Sequence, residues 1–99
     1  MPVLPPLLLV CSLLNETGAK YLVIGGHACI LHGLVRTTED VDIVIEESEG
    51  NCELVLAALS RMADGAAAEL TPRDLLENVV VKIADEVEVD VSTRAWKVS

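Results

Sequence analysis

The chain has 99 residues, enough for one domain and no more. Apolar residues make up 52%, yet Phe is missing and Tyr21 and Trp96 are the only aromatics, so the core must be Leu, Val, Ile and Ala. Seven basic residues against sixteen acidic ones give a net charge of −9, and no Lys/Arg cluster supplies the basic face that gripping a long nucleic acid requires.

In chain order, Val3 to Leu14 is apolar enough to suggest a signal peptide. No Lys or Arg precedes it, no A-x-A cleavage pattern follows, and it is too short to span a bilayer. Pro5 and Pro6 suit a first helical turn and Gly18 suits a stop, so a buried helix is expected from about Pro6 to Glu16. Lys20 to Ile24 reads as a short buried strand. Gly25-Gly26 then turns the chain into a second helix, His27 to His32, which Gly33 ends, and Leu34 to Glu39 is a loop.

Asp40 to Glu46 alternates, with Val41, Ile43 and Ile45 on one face and Asp40, Asp42, Val44 and Glu46 on the other. Glu46 to Gly50 is a charged, solvated turn. Asn51 is placed to cap a third helix reaching about Ala63, with Leu54, Val55, Ala58, Leu59 and Met62 as its apolar stripe, before Gly65. Ala66 to Leu70 suggests an edge strand. Thr71-Pro-Arg-Asp74 fits a capping box opening a short helix. Asn78 to Ala84 and Glu86 to Thr93 read as two strands around a turn at Asp85. In the last strand Val87, Val89 and Val91 share one face, and Glu86, Glu88, Asp90 and Ser92 the other. This order of elements predicts an α/β (α+β) domain, a small mixed β-sheet flanked by helices, spanning residues 1–99.

Asp40 and Asp42 are two apart on a strand, so both carboxylates project from one face. Their hard oxygens suit Mg²⁺ or Mn²⁺. If the strand carrying Asp90 lies beside them, three carboxylates meet on one open face, an arrangement stable mainly around a cation. Two such ions about 4 Å apart can activate a hydroxyl and neutralise a leaving pyrophosphate. Gly25 and Gly26 let a phosphate approach the backbone, and the helix after them aims its free N–H groups at the same place.

These pieces, Val23-Ile-Gly-Gly-His-Ala28, His32-Gly33, Arg36-Thr-Thr-Glu-Asp-Val-Asp42 and Val89-Asp-Val91, together resemble the DNA polymerase beta superfamily of nucleotidyltransferases. The nearest likeness is to its small prokaryotic branch, the minimal nucleotidyltransferases and abortive-infection-type toxin or antitoxin proteins. The resemblance covers about Pro6 to Thr93 and implies the nucleotidyltransferase fold. It implies that Gly25 and Gly26 contact a nucleoside triphosphate and that Asp40 and Asp42 bind both metal ions. Asp90 would bind the catalytic metal and help activate the acceptor hydroxyl. Arg36 and Thr38 match an Arg-x-Thr-x-Asp segment of this branch, where Arg36 would pair with phosphate or brace the aspartates. Gly26 stands where the family pattern also allows Ser, so a hydroxyl contact is lost, a form that many members of this branch share. Relatives continue into helices that form part of the substrate cleft, and the chain is expected to lack them.

Blander readings stand beside these. His27 and His32, five apart on a short helix, do not share a face for a metal, and a hydrogen-bonding role suits His32 better. Lys82, between Val81 and Ile83, reads as a solvated lysine more readily than as a phosphate contact. Trp96 suits a contact with another subunit. Cys11, Cys29 and Cys52, odd in number and without ligand spacing, read as small buried hydrophobes of a reducing cytosol. The expected function is metal-dependent transfer of a nucleoside monophosphate to a hydroxyl of a protein, RNA or small molecule. The alternative is a binding module of the same fold, an antitoxin or subunit acting through a protein partner. A homodimer would add stability at this length, and neither a membrane nor an extended nucleic acid is an expected partner.

Overall fold

The computed structural model of the chain describes residues 6–24 and 40–93, Asp40 for its backbone only. Its elements run α1 (Pro6–Thr17), β1 (Tyr21–Ile24), β2 (Asp40–Ile45), α2 (Glu49–Leu59), a 3₁₀ turn (Ala66–Glu69), α3 (Pro72–Glu77), β3 (Val80–Ala84) and β4 (Glu88–Ser92). The sheet is mixed, in the order β1-β2-β4-β3: β1 pairs antiparallel with β2, β2 parallel with β4, and β4 antiparallel with β3. The result is a small α+β domain. Gly25, Gly26, Arg36, Thr38, the expected second helix and Trp96 lie outside the described residues.

Period-two alternation decides which sheet face is buried. Val41, Ile43 and Ile45 of β2, Ile83 of β3 and Val89 and Val91 of β4 enter one core with Val10 and Leu14 of α1, Val55, Leu56 and Leu59 of α2 and Leu75 of α3. The α1 helix buries one stripe, Val10 and Leu14, while Leu7 and Leu8 stay exposed, so it is not buried all round. Its end is a Schellman turn. Gly18 takes a φ of 78°, its N–H reaches the Asn15 carbonyl, and the Ala19 N–H reaches that of Leu14.

Three local expectations are corrected. Ser48, not Asn51, caps α2: its hydroxyl accepts the Asn51 N–H at 3.2 Å. Asn51 lies one turn inside and turns its buried side chain toward the sheet. The helix closes at Leu59 rather than near Ala63, and Leu54 is exposed while Cys52 and Leu56 are buried, because the buried face follows Cys52, Val55, Leu56 and Leu59. Ala66 to Leu70 is no edge strand. A run of alanines after a left-handed Gly65 winds instead into a 3₁₀ turn, whose Ala66 N–H is held by Asp85 at 2.8 Å. The capping box is present, with the Asp74 N–H on the Thr71 hydroxyl and the Thr71 N–H on the Asp74 carboxylate.

The bend between β3 and β4 is pinned through Asp85. Its Oδ1 accepts the N–H groups of Asp64 and Glu86 at 2.7 and 2.6 Å, and its Oδ2 that of Ala66. Burial opposes its ionisation, but the backbone donors of Ala66, Asp64, Glu86 and Gly65 outweigh that and hold its carboxyl below the ordinary range. A carboxylate with a depressed folded pKa stabilises above its unfolded value, near pH 3.9, and that stability is lost as the pH falls through the folded value. Asp85→Asn is therefore expected to unfold at a lower temperature than the native chain at pH 7. The gap should narrow below about pH 4 and close in stronger acid. Thermal melts of both proteins across that range check it, and a gap independent of pH would show that the charge is not what holds the turn.

Candidate functional site: a carboxylate pair on the open sheet face

The face of the sheet opposite the helical core carries the even-numbered residues, in three rows. Leu22, Val44, Ser92 and Val80 are register partners across all four strands. The next row is Ile24, Asp42, Asp90 and Lys82. Beyond it Asp40 is set against Glu88 and Glu88 against Ala84. An apolar row thus borders an acidic one, closed at the β3 edge by a lysine.

The parallel pairing of β2 and β4 brings Asp42 and Asp90 together. Parallel neighbours lie about 4.8 Å apart, and register partners put their side chains side by side on the same face. Both residues are half-buried. They line a cavity of about 230 Å³ together with Ile24, Ile43, Val80 and Ser92. That is below the roughly 300–1,000 Å³ usual for a whole small-molecule ligand. It suits an ion with its oxygen shell, or one phosphoryl group.

Asp90 is the more telling of the two. Its Oδ1 is shut off from solvent and accepts no hydrogen bond. The Lys82 Nζ is 3.8 Å from that oxygen, close enough to feel its charge and too far to donate to it. A buried carboxylate oxygen without a donor is costly, and native proteins leave few of them. Hard carboxylate oxygens paired on one face fit a divalent cation such as Mg²⁺ or Mn²⁺. Among the described residues no three His, Cys, Asp or Glu side chains are grouped to hold a metal. The third carboxylate expected from the sequence is that of Asp40, whose backbone alone is described, one register row beyond Asp42.

Lys82 holds a place that its sequence position alone does not show. It is exposed on one side, as an alternating strand predicts, but its Nζ also lies 3.8 Å from Glu88 Oε1. The signal was present in the alternation of Val81, Lys82 and Ile83. What the sequence did not carry was the pairing of Lys82 with Asp90.

The two described cysteines are free: Cys52 is buried and Cys11 half-buried. Burial pushes the Cys52 thiol pKa up, which suits a packing role better than a nucleophile. No helix among the described residues is long and apolar enough to cross a membrane. Compared with known proteins, the chain matches no family, no curated protein and no solved structure.

Proposed function

We propose that the chain is a metal-dependent nucleotidyltransferase of the polymerase beta kind, moving a nucleoside monophosphate from a nucleoside triphosphate to a hydroxyl acceptor. The observation that carries this reading is the register of β2 against β4, which sets Asp42 beside Asp90 with Asp40 one row away. The buried, hydrogen-bond-free Oδ1 of Asp90 supports it independently.

In this reading Asp40, Asp42 and Asp90 hold the cations. Mg²⁺ or Mn²⁺ held there would offset charge on the triphosphate and would favour ionisation of the acceptor hydroxyl. Asp90, on the β3 side of the pair, takes the hydroxyl proton. The acceptor oxygen forms its bond to the α-phosphorus as the bond from that phosphorus to the bridging oxygen breaks, and pyrophosphate leaves with the electron pair. The protein's part is positioning and charge neutralisation, which is most of what phosphoryl-type transfer needs. Gly25, Gly26, Arg36 and Thr38 are the residues proposed to receive the triphosphate. A cytoplasmic setting supplies the reducing conditions and the triphosphate that this reading needs.

The test is incubation of the purified chain with Mg²⁺ or Mn²⁺, labelled nucleoside triphosphates, and panels of proteins, RNA and small hydroxyl compounds. Metal-dependent transfer with pyrophosphate release is expected. The absence of both transfer and metal-dependent triphosphate binding would sink the proposal.

A second reading, a binding module or antitoxin acting through a protein partner, draws on the exposed Leu22, Ile24, Val79 and Val80. These apolar side chains occupy both outer strands of the sheet or the residue just before β3. Full transfer activity by an isolated monomer would argue against that reading. A stoichiometric complex with a co-expressed partner, lost on Leu22→Asp or Val80→Asp, would favour it.

A further inference from the structure

Lys82 has no task in the transfer described above. It faces Asp90 across the β3–β4 ladder, and its neighbours on the same strand face, Val80 and Ala84, carry no charge. Its ammonium lies 3.8 Å from Asp90 Oδ1 and 3.8 Å from Glu88 Oε1, with the side chain 54% exposed. At that separation it offsets the carboxylate charge without filling the oxygen's lone pairs. The long, half-solvated stem can also swing away at little cost, since exposed ion pairs contribute little.

We propose that Lys82 is a built-in competitor of the divalent cation for Asp90, so that the site takes up the metal–triphosphate complex in preference to the free ion. This rests on the reading of Asp42 and Asp90 as cation ligands. A free divalent ion entering beside Asp90 meets the ammonium as a like charge and must displace it. An ion arriving with a polyphosphate brings the displaced ammonium a new anionic partner. Metal and triphosphate therefore help one another bind, and by linkage the help is equal in both directions. The ammonium also keeps the carboxylates from repelling each other in the ion-free chain, as a basic neighbour does for any acidic pair.

Calorimetric titration of Mn²⁺ into the native chain, Lys82→Met and Lys82→Arg tests this, with and without a non-hydrolysable triphosphate analogue. Lys82→Met is expected to bind Mn²⁺ alone roughly three- to tenfold more tightly than the native chain at low salt, the gap shrinking at high salt. In that variant the analogue should enhance Mn²⁺ binding less than it does in the native chain. Lys82→Arg, which keeps the charge, should stay near the native affinity. Binding by Lys82→Met with none detectable by the native chain is the same result in stronger form. Equal or weaker Mn²⁺ binding by Lys82→Met overturns the competitor role and leaves the cation site standing. No Mn²⁺ binding by any of the three overturns the site itself. Circular dichroism of each variant confirms that the exposed substitution leaves the fold in place.

Discussion

Asp42→Asn is expected to lower metal-dependent nucleotide transfer by about 10³-fold or more, with the fold intact. Losing one preorganised charge-stabilising group typically costs about 10²–10³ in rate. Asp42 is asked to do more than that, because it is placed to share cations with both Asp40 and Asp90. The amide is nearly the size and shape of the carboxylate but carries no charge, so it cannot replace a hard anionic ligand. Beneath it Val41, Ile43 and Ile45 are fully or almost fully buried and anchor β2 in the core. The unfolding temperature should therefore move by no more than a few degrees, which corresponds to about 1 kcal/mol in a domain of this size. Activity and thermal melts measured on the same preparation separate the two effects. Retained metal-dependent transfer in Asp42→Asn would remove the carboxylate pair from the mechanism.

Asp90→Asn should lose activity as deeply but with a different signature. Its Oδ1 is buried and accepts no hydrogen bond, whereas Lys82 stands 3.8 Å away. Removing the charge leaves the ammonium with Glu88 as its anionic neighbour. If Asp90 takes the acceptor proton, the variant should retain triphosphate binding better than Asp42→Asn does while transfer is lost. Similar loss of binding and transfer in both variants would make Asp90 purely a cation ligand.

Much of this site could be anticipated from the chain because period-two alternation is a local property. Val41, Ile43 and Ile45 against Asp40 and Asp42, and Val89 and Val91 against Asp90, assign each residue to a face without knowledge of any partner strand. The pairing of β2 with β4 is different in kind. It joins residues some fifty positions apart, across α2, α3 and β3, and it depends on how those helices pack on the sheet. The sequence made the adjacency of Asp42 and Asp90 a condition; the register Asp42 to Asp90 meets it. The place of Lys82 is hidden for the same reason, since it depends on its cross-strand partner Asp90. Ala66 to Leu70 winds as its helix-favouring residues prefer, and Asp85, distant in sequence, holds its first N–H. Asn51 lies one turn inside α2 rather than at its cap. Asn and Ser are both good caps, and Ser48 takes the position because the side chain of Asn51 is engaged elsewhere.

That engagement predicts a large loss of stability from a single polar side chain. The Asn51 Oδ1 accepts the Lys20 N–H at 2.7 Å, and its Nδ2 donates to the carbonyls of Lys20 at 3.0 Å and Glu46 at 3.1 Å. Lys20 leads into β1 and Glu46 follows β2, so one buried amide ties the start of α2 to both strands at the end remote from Asp40. The Lys20 carbonyl keeps a second donor, the Glu46 N–H, and the Glu46 carbonyl keeps the Ser48 N–H, but the Lys20 N–H has its described partner in Asn51. Asn51→Ala leaves the Lys20 N–H part-buried and without that partner, at about 1–3 kcal/mol, and takes one donor from each of the two carbonyls, at about 1 kcal/mol or less apiece. A total loss of about 2–4 kcal/mol is expected, a large share of the roughly 5–15 kcal/mol that holds a domain together. In thermal unfolding it should read as a drop on the order of 10–20 °C. Asn51→Asp should not rescue it. The carboxylate can accept the Lys20 N–H but would face two carbonyl oxygens with no proton to donate. The register that sets Ile24 opposite Asp42 begins at Tyr21 opposite Ile45, beside this clamp. Loss of the clamp should thus be felt at the carboxylate pair as well. Hydrogen exchange in Asn51→Ala should rise first across β1, the outer strand that meets the sheet on one side only. Uniform acceleration across β2 and β4 instead would place the weakness in the core rather than in this clamp.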